Sequence, residues 1–155
     1  MRLGFHAPET EEELAHLVAE AAETRTPLEV LGRGTQRDIG HPVSAGVVVS
    51  SENMADIPLY EPTELVMVAK AGAPIAKIEA KLAESDQELP FAPVDLGPVL
   101  GSAPRAGTIG GVLGATPSRS RRLLKRAARA HVLGVLPVRR RAHLLPAGGR
   151  RMTPV

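Results

Sequence analysis

Residues 105–116 read RAGTIGGVLGAT, a run rich in Gly and Ala that includes Gly107, Gly110, Gly111, Gly114 and Ala115. Glycine loses the most conformational freedom on ordering, so such a run suits a backbone that needs unusual dihedrals or must approach something closely. Successive exposed N–H groups in a turn form a concave anion site. The run therefore reads either as a phosphate- or dinucleotide-binding loop or as a tight turn between strands. A second glycine pair lies about 70 residues upstream, at Gly32-Arg33-Gly34-Thr35-Gln36-Arg37. A dinucleotide fingerprint of the doubly wound kind would need a third glycine where Arg37 stands, with a helix straight after it. A P-loop is excluded too, because no Gly-Lys-Ser/Thr follows. What remains is a phosphate-contacting turn between strands, with Arg33 or Arg37 to supply charge.

The elements around these loops are legible in outline. Thr10 and Glu13 have capping-box spacing, and Leu14, Leu17, Val18, Ala21 and Ala22 repeat at helical intervals, predicting a helix over 11–24. Arg25-Thr26-Pro27 ends it, and 28–31 reads as a strand running into the first glycine pair. Residues 38–42 are turn-like, and strands are expected at 47–49, 57–60 and 65–69. Pro74 opens a helix over 74–85, carried by Ile75, Ile78, Leu82 and Ala83. Residues 89–101, with three Pro and two Gly, form an extended connector to the second glycine run. Helices and strands in this order predict a compact α+β lobe over the first 85 residues.

Composition removes several function classes. The 155 residues are 43% hydrophobic, enough for one core, yet hold only one Tyr, two Phe and no Trp, so base stacking on single strands is a poor explanation. With no Cys, thiolate metal sites, disulfides and cysteine nucleophiles are excluded. The five His show no metal-ligand spacing. Glu88 and Asp95 could serve as acid–base groups, but a solvated loop is the simpler reading. No apolar run approaches the roughly 20 residues of a membrane span, and the acidic start is unlike a signal peptide, so a cytoplasmic protein is expected. Charge is unevenly spread: residues 1–116 hold 8 Lys/Arg against 17 Asp/Glu, net −9, whereas 117–155 hold 11 Lys/Arg and no acid, net +11. Such a tail reads either as a nucleic-acid or acidic-partner segment, or as a stretch outside the folding constraint of the body.

Between the loops lies ELVMVAKAGAPIAKIEAKLAESDQELPFAP, and with it the chain resembles the vanillyl-alcohol-oxidase-type (PCMH-type) FAD-binding domain, most specifically the FAD-binding subunits of bacterial glycolate oxidases. That family's TxLVxxxAGxxxxxIxxxLxxxGQxLPFxP run is met at Thr63, Leu65, Val66, Ala71, Gly72, Ile78, Leu82, Gln87, Leu89, Pro90, Phe91 and Pro93. Its ATIGG loop is met at Thr108, Ile109, Gly110 and Gly111. The resemblance implies that Gly32, Arg33, Gly34, Thr35, Gln36 and Arg37 line the pyrophosphate of FAD. It also implies that Gly107, Thr108, Ile109, Gly110, Gly111, Gly114 and Ala115 wrap the pyrophosphate and ribityl from the other side. Val132, Leu133 and Gly134 match a VLG segment whose backbone approaches the flavin. Relatives that attach flavin covalently place His or Cys in or near the first loop, and residues 32–37 contain neither, so dissociable FAD is expected. The implied activity is oxidation of a 2-hydroxy acid of the glycolate type, alongside a second flavoprotein subunit and an iron–sulfur subunit, with no catalytic base nameable. Beyond 116 the match thins to the VLG segment and a Gly148-Gly149-Arg150-Arg151-Met152 remnant, interrupted by Pro137 and Pro146. The resemblance implies an α+β fold of two lobes, a small βαβ-like lobe over 7–88 and an incomplete second α+β lobe over 89–155, and these marks favour a truncated or degenerate domain over a nucleic-acid-binding tail. The alternatives remain a non-catalytic binding protein with an Arg-rich tail for nucleic acid or an acidic partner, or an inactive remnant.

Overall fold

The computed structural model describes residues 4–37, 41, 44–93, 95, 97–115 and 128–138. The expected Gly148–Met152 remnant, the turn at 38–40 and most of the basic tail lie outside the described residues. Helix α1 (Glu11–Glu23) forms as its periodicity predicts, with the Thr10 hydroxyl accepting from the Glu13 N–H at 3.1 Å. The Glu13 carboxylate accepts from the N–H of Glu9 at 2.9 Å, one residue ahead of the cap, so the capping box is shifted by one position. The helix stops where Arg25 turns left-handed (φ 52°) and the Thr26 N–H reaches back to the Ala21 carbonyl at 2.9 Å. Thr10→Ala should cost about 1 kcal/mol and lower the thermal midpoint by roughly 2–4 °C; an unchanged melt by circular dichroism would show that the cap is dispensable.

Strand β1 (Gly4–His6), which sequence reading passes over, pairs in parallel with β3 (Val47–Ser50), as does β2 (Leu28–Leu31). The order β1-β3-β2 makes the first lobe a βαβ unit with β3 threaded through its centre. Central position explains the composition of β3, three β-branched residues in a row with Val47 and Val49 fully buried. A hairpin follows, β4 (Leu59–Glu61) against β5 (Val66–Val68). It is shorter than the 57–60 and 65–69 expectations because Pro62 starts a 3-10 turn, Pro62–Glu64, which Leu65 closes in the left-handed region (φ 56°).

Helix α2 (Ile75–Ala83) starts one residue later than expected, with Pro74 outside it as an extended cap (ψ 139°). Its buried face, Ile78 and Leu82 with Ala73, gathers Ile57, Tyr60, Met67 and Ala69 from the hairpin region. A second cluster, Ile75, Phe91 and Val112, shares Leu89 and Ile109 with the first, so the two are continuous. The largest departure from expectation is at 109–115. This stretch is not a turn but a short helix, α3 (Ile109–Ala115), whose Val112 is buried in the second cluster. Among the described residues no helix is long and apolar enough to cross a membrane.

Candidate functional site

The first glycine pair leaves the end of β2 as a turn in which the Arg37 N–H donates to the Gly34 carbonyl at 3.1 Å. Gly34 has φ +70° and open space around it, so glycine is required there by backbone conformation. Gly32 is required for another reason: a Cβ on it would sit 2.2 Å from the Thr108 hydroxyl oxygen. A Cβ on Gly107 would meet the Thr35 hydroxyl at 3.8 Å. Loops about 70 residues apart in sequence thus face each other at van der Waals distance, as the resemblance implies for the two sides of one site.

The loops contribute differently. In the second run the Ile109 N–H donates to the Ala73 carbonyl, the Gly110 N–H to the Ala71 carbonyl (both 2.9 Å), and the Gly111 N–H to the Thr108 hydroxyl (3.2 Å). The Gly107 carbonyl accepts from Ile75 at 3.0 Å, and Thr108 bridges to Pro74. The amides of 109–111 are therefore spent on the 71–75 segment and on the helix cap, whereas those of Gly107 and Thr108 have no hydrogen-bond partner among the described residues. What the run offers instead is room. A Cβ on Gly114 would meet nothing within 4 Å among the described residues, which impose no steric need for glycine there.

In the first loop, by contrast, the N–H groups of Gly32, Arg33, Gly34 and Thr35 have no hydrogen-bond partner among the described residues. Gln36 carries a buried side-chain oxygen without a partner. The two arginines divide their labour. Arg37 makes a two-pronged pair with Glu29 at 2.8 and 2.7 Å, holding the turn against β2, while exposed Arg33 has no ion pair among the described residues. Donor N–H groups, one uncommitted guanidinium and side-chain-free space together fit a dinucleotide phosphate.

The structure does not join the other expected members to the loops by hydrogen bonds. Residues 132–134 follow the 3-10 helix Ala128–His131 without regular secondary structure; Leu133 is 59% exposed, and none of the three hydrogen-bonds to either loop among the described residues. Asp95, read as a solvated carboxylate, is a structural clamp: its two oxygens accept from Gly97 (3.1 Å) and Arg105 (2.7 Å), closing the connector ahead of the second run. Sequence reasoning missed Ser50, a fully buried serine at the end of β3, because a lone Ser carries no motif. A surface depression of about 780 Å3 lined by Lys70, Lys77, Lys81, Asp56 and Glu84 contains no residue of either loop. Its Lys77 and Lys81 are already engaged, by the Ala55 carbonyl and Glu84. No cluster of metal-ligating side chains occurs among the described residues.

Comparison with known proteins identifies the family of the chain. A family model described as FAD binding domain matches residues 3–140. The glycolate oxidase subunit GlcE of Escherichia coli (strain K12) is 31% identical over 142 residues, which is 92% of this chain and 38% of that protein. The chain thus spans less than two-fifths of that relative's length. Among solved structures, two crystal forms of alkyldihydroxyacetonephosphate synthase superpose with TM-scores of 0.70 and 0.66, each at 19% identity. They cover 86% and 84% of this chain and 24% and 25% of the synthase, a likeness of fold.

Proposed function

Because the chain belongs to the FAD-binding domain family, with FAD as its cofactor, we propose that it forms the FAD-binding portion of a 2-hydroxy-acid oxidoreductase subunit of the glycolate type. FAD lies between the glycine runs, held without a covalent link. The observation that carries this reading is the approach of the two loops, Gly32 against Thr108 and Thr35 against Gly107, with the N–H groups of residues 32–35 unpartnered among the described residues. The first loop, Gly32 to Arg37, takes the pyrophosphate through its amides and Arg33. The second, Gly107 to Ala115, is a backstop whose missing side chains leave space for the ribityl, and by the family resemblance the backbone of 132–134 faces the flavin. Residues 32–37 contain no His and the chain no Cys, the residues that would tether a flavin at this loop. Once bound, the flavin supplies the redox chemistry while the protein binds and orients it. Glycolate or a related hydroxy acid as substrate, and a second flavoprotein subunit and an iron–sulfur subunit as partners, belong to the same proposal, supported by the likeness to the GlcE subunit.

Gly114 makes the test specific. In a helix an alanine is preferred to glycine by up to about 1 kcal/mol, and open space surrounds this position. Gly114→Ala should therefore raise the thermal midpoint of the apo protein slightly while weakening FAD retention, read as flavin absorbance after adding FAD and removing the excess. Equal flavin retention by the variant would move the ligand away from α3. A parent protein that stays colourless would remove the FAD reading altogether.

A further inference from the structure

Ser50 has zero exposure, and a hydroxyl that deep is kept only where it is hydrogen-bonded. Its Oγ donates to the Gly32 carbonyl at 2.8 Å and accepts from the Glu52 N–H at 3.2 Å. Beside it, the Ser51 N–H donates to the Leu31 carbonyl at 2.9 Å. Two successive carbonyls, of residues 31 and 32, are thus both drawn towards the end of β3. In a regular strand they would point to opposite sides. Every described peptide bond is trans, and in a planar trans unit the N–H points opposite to the C=O. The N–H groups of Gly32 and Arg33 must then both point away from β3. Had the β2 ladder simply continued, Arg33 would turn its N–H back towards the sheet. Neither N–H has a partner among the described residues, and two adjacent N–H groups on one side are the elementary anion-binding arrangement.

We propose that Ser50 is a positioning residue for the cofactor: by holding the Gly32 carbonyl it turns the Arg33 amide outward to the pyrophosphate. This rests on the placement of FAD at the first loop. Ser50 itself touches no phosphate, and its influence is wholly through the peptide it rotates.

The test compares the full chain with Ser50→Ala and Ser50→Thr at a temperature well below each apo midpoint, so that all three are folded. Ser50→Ala should weaken FAD about ten- to a hundredfold, as expected when a charge-assisted hydrogen bond is lost, and Ser50→Thr, which keeps the hydroxyl, should recover most of that. In 15N-labelled wild type, ADP should shift the Gly32 and Arg33 amide resonances, and in Ser50→Ala the Arg33 shift should be lost. A merely structural serine would lower the midpoint and leave affinity and amide shifts alone, which overturns the proposal. Should Ser50→Ala not fold, the wild-type amide shifts decide: if the Gly32 and Arg33 amides stay still while ADP binds, Ser50 has no such role. A wild type that binds neither FAD nor ADP sinks the placement of the cofactor as well. One that binds both, with Ser50→Ala binding equally, sinks the role of Ser50 alone.

Discussion

Replacing Gly72 by alanine is expected to leave no cooperatively folded protein. A Cβ there would lie 1.7 Å from the Ser51 carbonyl oxygen and 2.7 Å from that of Met54. Both obstacles are backbone, so no rotamer change relieves them. The surrounding peptides are also interlocked: Gly72 donates to Met54, Met54 to Ser51, and Lys70 to Asp56, each at 2.9 Å. Moving one strand of that weave breaks the rest and uncovers Met54 and Ala73, both buried. Overpacking of a closed site costs typically 1–3 kcal/mol and more where backbone must move; we expect more than about 3 kcal/mol, a large part of an ordinary domain's stability of roughly 5–15 kcal/mol. The measurement is a thermal melt with Gly114→Ala as the control for a glycine in open space. A Gly72→Ala transition within a few degrees of wild type would refute the close approach.

Gly32→Val should separate stability from function. Its Cβ would collide with Thr108 Oγ1 at 2.2 Å, a side chain and not backbone, so the fold can give by pushing the second loop outward. The gap between the loops would change, and with it the site. We expect FAD binding to fall by about a hundredfold or more, the equivalent of roughly 3 kcal/mol, with a smaller loss of stability than in Gly72→Ala. The paired variant Gly32→Ala with Thr108→Ala removes the colliding hydroxyl and methyl and should restore the spacing in part. If Gly32→Val holds FAD like wild type, the two loops do not enclose it.

Much of this arrangement was readable from the chain, and the failures have physical causes. The 28–31 strand and the 11–24 helix announce themselves through patterning and caps, and the two glycine runs through composition alone. Strand β1 has three residues and no alternation to detect; only its pairing with β3 makes it a strand. The seven-residue helix at 109–115 contradicts the low helix propensity of its three glycines, and it exists because Ile109 and Val112 are drawn into the two apolar clusters. Tertiary burial outweighs propensity there. Most opaque was the division of roles between the loops. Glycine content predicts that backbone comes close to something, but not whether that something is ligand or protein. At Gly32, Gly72 and Gly110 it is the protein's own atoms, and at Gly114 it is open space.

The hydrogen bonds from 109 and 110 to the 71–75 segment have a kinetic meaning as well. They order the second loop during folding, so a ligand arriving at the site meets one wall already immobilised. The ordering entropy left for binding is confined to the first loop, and fewer degrees of freedom lost at that moment means tighter binding for the same contacts. Release of cofactor should accordingly begin with fluctuation of residues 32–37, leaving the amides of 109–112 protected from hydrogen exchange whether or not the site is filled.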